Sequence, residues 1–264
     1  MTAEEKSKVY NFLKTASSWS YGYPSPTFKE EPAFEDDIEI PEEHEEIKAQ
    51  EQVQVQPQIS QIPAEQNSAE KVPSQGATLE SIAAKIALCK NCVLCKARTN
   101  TVPGEGVKNP YVMVIGEGPG EDEDKTGRPF VGKAGQLMNM AFQGLGIKRQ
   151  EVYITNIVKC RPPANRVPEQ DEAETCLNYL RNQVILVKPK VIVLLGSTAL
   201  KNVLGKEYSI TASRGKWIEQ KGIMYMPTWH PAALLRDENK KIEFWKDLKV
   251  VVKFFNKSGV EDEK

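Results

Sequence analysis

Tyr111-Val112-Met113-Val114-Ile115-Gly116-Glu117-Gly118-Pro119-Gly120 is the stretch that decides the fold. An unbroken apolar run stops at a glycine and gives way to polar and glycine residues. A short apolar run bounded by turn signals reads as a buried strand that empties into a loop. The same arrangement recurs at Val191–Leu195, followed by Gly196-Ser197. Glu151–Val158 contains another strand, and Trp217–Ile218 and Ile223–Pro227 read as short ones. Between them lie helical patterns. Leu79, Ile82, Ala83 and Ile86 form a stripe leading into Cys89, and Gly132–Gln143, Ser197–Leu204 and Lys240–Phe255 read as helices. Pro168 falls where a first helical turn belongs, with Glu169, Asp171 and Glu172 placed to favour the helix dipole, and that helix runs to about Val187. Strands alternating with helices, each strand apolar on both sides, imply an α/β fold with a mostly parallel sheet covered on both faces.

The N-terminal residues have a different texture. Residues 1–75 carry 15 Asp/Glu against 6 Lys/Arg, a net −9, and from Tyr23 to Gln75 they are rich in Pro, Glu and Gln. Such a composition buries too little apolar surface to offset chain entropy, so a largely disordered acidic extension is expected. Within it Val9, Phe12 and Leu13 have helical spacing, and Trp19, Tyr21 and Tyr23 follow. A short helix over about 3–16 could dock on a protein partner, or form transiently at a frayed end. The globular domain is placed at 76–258, with a C-terminal tail at 259–264. Residues 76–264 carry 29 Lys/Arg against 21 Asp/Glu, a net +8 that suits a polyanionic partner. No run of eighteen apolar residues exists and no secretory leader is visible, so a cytoplasmic protein without a membrane span is expected. Five cysteines in that setting point to metal binding or catalysis before disulfides.

The chemistry-bearing residues fall just past the predicted strands. Gly116–Gly120 follows the first strand and Asn156 lies near the end of the second. Gly196-Ser197 follows the third, and Thr228-Trp229-His230-Pro231 the last. Open parallel sheets bind ligands beyond the carboxyl ends of their strands, so four strands delivering such residues to one edge mark a site. The glycine run lacks the Gly-Lys-Ser/Thr of a Walker loop and the third glycine of a dinucleotide fingerprint. It could cradle a phosphate or simply make a tight turn. The Glu121-Asp122-Glu123-Asp124 run that follows is odd for a phosphate site and points to water activation or to stabilising a cationic transition state. His230 is one of two histidines, and the other, His44, lies in the acidic extension. The hook after it, Pro231-Ala232-Ala233-Leu234-Leu235-Arg236, could wedge into a base stack or be an ordinary helix start. Cys89 and Cys92 form a Cys-x2-Cys pair, Cys95 makes a second such pair with Cys92, and Cys160 and Cys176 follow. Thiolates from two regions of sequence can hold a [4Fe–4S] cluster or a zinc ion, and spacing does not separate the two.

Read together, Gly116–Asp124, Gly127-Arg128-Pro129-Phe130-Val131-Gly132, Asn156-Ile157-Val158-Lys159-Cys160-Arg161-Pro162-Pro163 and His230-Pro231 resemble the family 4, iron–sulfur uracil-DNA glycosylases, over roughly Leu79 to Phe255. The resemblance implies a three-layer α/β/α sandwich and an enzyme that flips uracil from single- or double-stranded DNA, hydrolyses its N-glycosidic bond and so initiates base excision repair. It implies a [4Fe–4S] cluster on Cys89, Cys92, Cys160 and Cys176, with Cys95 spare, because Leu94 and Arg98-Thr99 then fall in the family's places. It places Phe130 as the stacking face, Asn156 as the reader of uracil's edge and His230 as the donor to the departing base. Gly118 stands in the substrate pocket where some relatives in other branches carry Asp or Asn, so water positioning passes to Glu117, Glu123 or Asn165. Glu123 is also placed to exclude thymine's methyl group. Leu234, Leu235 and Arg236 are the expected DNA contacts, and a monomer is expected. The rival classes are a non-enzymatic, metal-stabilised nucleic-acid-binding module and an electron-transfer protein.

Overall fold

The computed structural model describes Ser7 and residues 77–258. The rest of the acidic extension, including the short helix expected in it, and the C-terminal tail lie outside the described residues. Six strands form one sheet: β1 (Glu105–Gly106), β2 (Val112–Gly116), β3 (Tyr153–Asn156), β4 (Val191–Leu195), β5 (Ile218–Gln220) and β6 (Ile223–Thr228), in the order β1-β3-β2-β4-β6-β5. The four central strands are parallel, and β1 and β5 close the two edges antiparallel. β2 therefore has its successor β3 on one side and β4 on the other. The chain reverses direction of travel across the sheet at this point, which opens a crevice past the strand ends.

The two faces are sorted by the period of two. Val112 and Val114 of β2, Val191, Val193 and Leu195 of β4 and Met226 of β6 enter one core. Met113 and Ile115, Ile192 and Leu194, and Tyr225 enter the other. The first core is covered by α3 (Lys133–Gly144), through Leu137, Met138, Ala141 and Phe142, and by α8 (Glu238–Ser258), through Phe244, Trp245, Leu248 and Val251. The second is covered by α4 (Gln170–Val187) and α5 (Gly196–Val203). The result is the three-layer α/β/α sandwich. Each fully buried Val, Leu or Ile contributes about 1.5–3 kcal/mol, so the alternation fixes both register and layer assignment.

Helix ends follow local chemistry. In α1 (Leu79–Ala87), Thr78 and Ser81 form a reciprocal capping box, and Ile82 and Ile86 are buried. α4 starts at Gln170, two residues after Pro168. Glu169 is its N-cap and its backbone N–H donates to Glu172, so Pro168 precedes the cap. Three short helices complete the chain: α2 (Glu121–Thr126), α6 (Ile210–Ser213) and α7 (Pro231–Leu234). Sequence periodicity does not reveal α2, because six residues span too little of a helical repeat.

Candidate active site

The carboxyl ends of β2, β3 and β6 open into a cleft of about 660 Å³ whose walls include Glu117, Gly118, Glu123, Phe130, Asn156 and His230; Gly196 and Ser197, after β4, are not in its walls, and Gly196 packs against His230 instead. Asn156 ends β3 and is 1% exposed. Its neighbour in the chain register is Gly116, whose hydrogen stands where a Cβ would lie 2.5 Å from both Asn156 Oδ1 and the Phe130 ring. Only glycine leaves room there for the amide and the ring together. Lys159, also buried, donates from Nζ to the Asn156 carbonyl (2.7 Å) and to Thr155 Oγ1 (2.6 Å), and burial pulls its pKa down to about 7.

Phe130 is 5% exposed and sits at φ +51°, a left-handed conformation that costs a bulky residue energy unless the surroundings enforce it. They do so from three sides. Gly135 packs so closely that a Cβ would fall 2.1 Å from the Phe130 backbone. Arg149 donates to the carbonyls of Phe130 and Pro129 while paired with Glu105. Glu123 accepts from the N–H groups of Val131 (2.8 Å) and Gly132 (2.9 Å) with one oxygen and from Gly120 (3.1 Å) with the other. Two further residues of the acidic run are likewise engaged within the protein. Asp124 is buried and accepts from the N–H groups of Thr99 and Asn100, and Glu121 pairs with Lys125 and Arg161.

His230 follows β6 and caps α7, its Nδ1 accepting the Ala232 N–H at 3.2 Å. With that lone pair used, the ring proton resides on Nε2. Nε2 is buried and has no protein partner, and burial pulls the imidazole pKa down to about 4. The ring lies 5.8 Å from that of Phe130, tilted by 38°. Gly196, at φ +85°, lets the β4 end pass where a Cβ would come 2.9 Å from His230 Cβ. The strand end carrying the histidine is tied down behind: Thr228 Oγ1 donates to Asp247 (2.6 Å), which also accepts from Arg214 (2.8 Å), and Trp229 Nε1 donates to Glu243 (2.6 Å).

The remaining candidates differ in how they are engaged. One oxygen of Glu117 accepts from the Thr198 hydroxyl. Asn165, at φ +55°, accepts from Arg161 Nε at 2.7 Å through its side-chain oxygen. The hook after His230 requires a correction. Leu234 is fully buried in the core, so it does not project into a base stack, whereas Leu235 is half-buried with one side packed against the core. Arg236 is exposed at the cleft wall. The apolar spacing that marked the hook belongs to α7's packing side. Arg149, Thr198 and Lys159 escape sequence reading because their partners lie 10–81 residues away or in backbone groups.

Residues 103–249 match the family described as the Uracil DNA glycosylase superfamily. A type-4 uracil-DNA glycosylase of Sulfurisphaera tokodaii is 46% identical over 183 residues, 66% of this chain and 83% of its own length. One from Thermotoga maritima is 42% identical over 187 residues, 69% of this chain and 96% of its own. The chain belongs to the type-4 uracil-DNA glycosylases. A type-5 uracil-DNA glycosylase of Pyrobaculum aerophilum is similar at a lower level, 32% identical over 150 residues, 50% of this chain and 66% of its own.

Away from the type-4 cleft, all five cysteines line one small cavity between α1, the residue 93–96 turn, the segment after β3, and α4. Burial pushes the thiols of Cys92 and Cys160 up, and that of Cys176 up to about 11. Arg98 donates to Cys160 Sγ at 3.1 Å and to the Ala87 carbonyl, so one cation bridges both cysteine regions. Among the described residues no three His, Cys, Asp or Glu side chains form a group that could hold a metal ion. No described helix is long and apolar enough to cross a membrane.

Proposed function

We propose that this chain excises uracil from DNA by hydrolysing the N-glycosidic bond, the activity in the names of its type-4 relatives. One observation carries the reading. Asn156 Oδ1 and His230 Nε2, an acceptor and a donor, are both buried without a protein partner and both line the cleft beside Phe130. Buried polar groups are almost always paired, so two orphans in one cleft call for a ligand that pairs them. Uracil supplies the complement: an N3–H for the Asn156 oxygen, O4 for its amide N–H groups, and O2 for the histidine. Cytosine, with an acceptor at N3 and a donor at C4, inverts the pattern and leaves the amide opposed. Phe130 offers the flipped ring a face.

In the reaction the C1′–N1 bond breaks and its electron pair departs with the uracil ring. His230 stays neutral and donates its Nε2 proton as a hydrogen bond to the charge gathering on O2, an oxyanion-hole role. A water oxygen bonds to C1′ and its proton passes to a carboxylate or to solvent. Glu117 is the water-positioning group we favour. Thr198 occupies one of its oxygens, whereas three backbone N–H groups surround Glu123 and Arg161 takes the Asn165 oxygen. Glu123 instead holds the Phe130 loop in place, and through it the wall against which thymine's methyl group would press. Gly118 lines the cleft beside Glu117, and a Cβ there would come 2.8 Å from the Val158 side chain.

The cysteine cavity fits a [4Fe–4S] cluster on Cys89, Cys92, Cys160 and Cys176. Such a cluster would supply a structural tie between α1, α4 and the β3 end that carries Asn156. Arg98 would offset the charge of its thiolates. The non-enzymatic binding module has no use for the paired orphans. The deciding experiment is alkaline cleavage of a single-uracil oligonucleotide after incubation with the protein. Strand scission at uracil and not at thymine or cytosine is expected, and no scission with iron-replete protein would overturn the function.

A further inference from the structure

With Leu234 buried, the cleft mouth still has one exposed apolar side chain on its rim. Val167 is 59% exposed and lines the same cleft as Ala232, Ala233 and Arg236. Its loop is not a loose one. Pro162 and Pro168 flank it and are buried, and Ala164 and Asn165 take consecutive left-handed conformations at φ +53° and +55°. Arg166 donates bidentately to Glu172 at 2.8 and 2.7 Å, and also to the Val167 carbonyl at 3.0 Å. The Glu172 side chain is 1% exposed, so the valine's own backbone is stapled to the start of α4 by a buried carboxylate. Arg161 closes the loop's other end onto Asn165 and Glu121. A β-branched side chain adds stiffness of its own, since it populates few rotamers. Scattered exposed valines need no explanation, but one fixed this firmly at the mouth of a substrate cleft does.

Resting on the glycosylase reading, we propose that Val167 is the apolar wedge of this enzyme: it presses on the base pair beside the flipped uracil and holds the emptied stack open. The partner is duplex DNA. The cleft mouth presents Lys133 and Arg236 for its phosphates, and an apolar tip near cations suits a stacked base flanked by backbone. Single-stranded DNA has no paired partner to return to, so it needs no wedge.

The test compares single-turnover uracil excision from a U·G duplex and from the same uracil strand alone, with wild type, Val167→Ala and Val167→Leu. Val167→Ala should lower the duplex-to-single-strand rate ratio about tenfold, the effect of losing two methyl-sized apolar contacts, and Val167→Leu should restore it. A 2-aminopurine beside the uracil should brighten less on binding Val167→Ala than on binding wild type. An unchanged ratio, or equal loss on both substrates, would overturn the wedge. Wild-type protein inactive on both substrates would instead overturn the glycosylase reading.

Discussion

Replacing His230 by alanine isolates the step at which charge appears on the base. The resting protein has no partner for Nε2, so the deletion leaves no protein acceptor stranded. What is lost is a donor aimed at a developing anion, which is worth about 3–4 kcal/mol, or 10²–10³ in rate. The interaction strengthens only as the bond breaks, so affinity for uracil DNA should change less than about threefold. Alanine also removes the cap on the Ala232 N–H, a separate loss of about 1 kcal/mol in stability. His230→Asn restores a cap with a side chain too short to reach as the imidazole does, so it should be stable yet nearly as slow. The pH dependence gives a second handle. Burial depresses this pKa to about 4, below the ordinary 6.5, so the second proton binds only as pH falls toward 4. An imidazolium would be the stronger donor, yet the wild-type single-turnover rate should not climb as pH falls through 6.5. Rapid-quench excision measured from about pH 5 to 8 checks both points. His230→Ala at near wild-type rate with its iron retained, or a rate rise centred on pH 6.5 that the variant lacks, would refute the reasoning.

Asn156→Asp should lose uracil excision by at least about 10², because a carboxylate cannot donate to O4, and the same gel assay with cytosine substrates checks whether discrimination relaxes. Glu123→Gln keeps the shape but trades a carboxylate that accepts three N–H bonds for a neutral amide. It should cost about 1–3 kcal/mol in chemical unfolding and raise KM more than it lowers kcat, since Phe130 is loosened while His230 is untouched. Anaerobically purified protein should be brown with about four irons per chain. Cys95→Ala should keep them and Cys176→Ala should lose them, so colourless wild type with stoichiometric zinc would refute the cluster.

The sequence alone determined the sheet and its two-sided burial. Runs such as Val112–Ile115 and Val191–Leu195 alternate between two cores, and no other register buries both sets. It also pointed to the strand ends, because Gly116 and Asn156 end their strands and Gly196 and His230 follow theirs by one and two residues. Only the tertiary structure decided what each polar residue is doing there. Glu123 and Glu117 stand six positions apart in one acidic, glycine-rich stretch, yet one is enclosed by the backbone N–H groups of Gly120, Val131 and Gly132 and the other meets Thr198, 81 residues away in the chain. Leu234 leaves its expected place for the same reason. Apolar character sets a preference for burial, and the surroundings folded against each residue determine whether burial is granted. Local spacing encodes periodicity and caps, which act over a few residues. Orphaned atoms, close approaches at glycine and the charge environment of a carboxylate are properties of groups brought together from far apart in the chain.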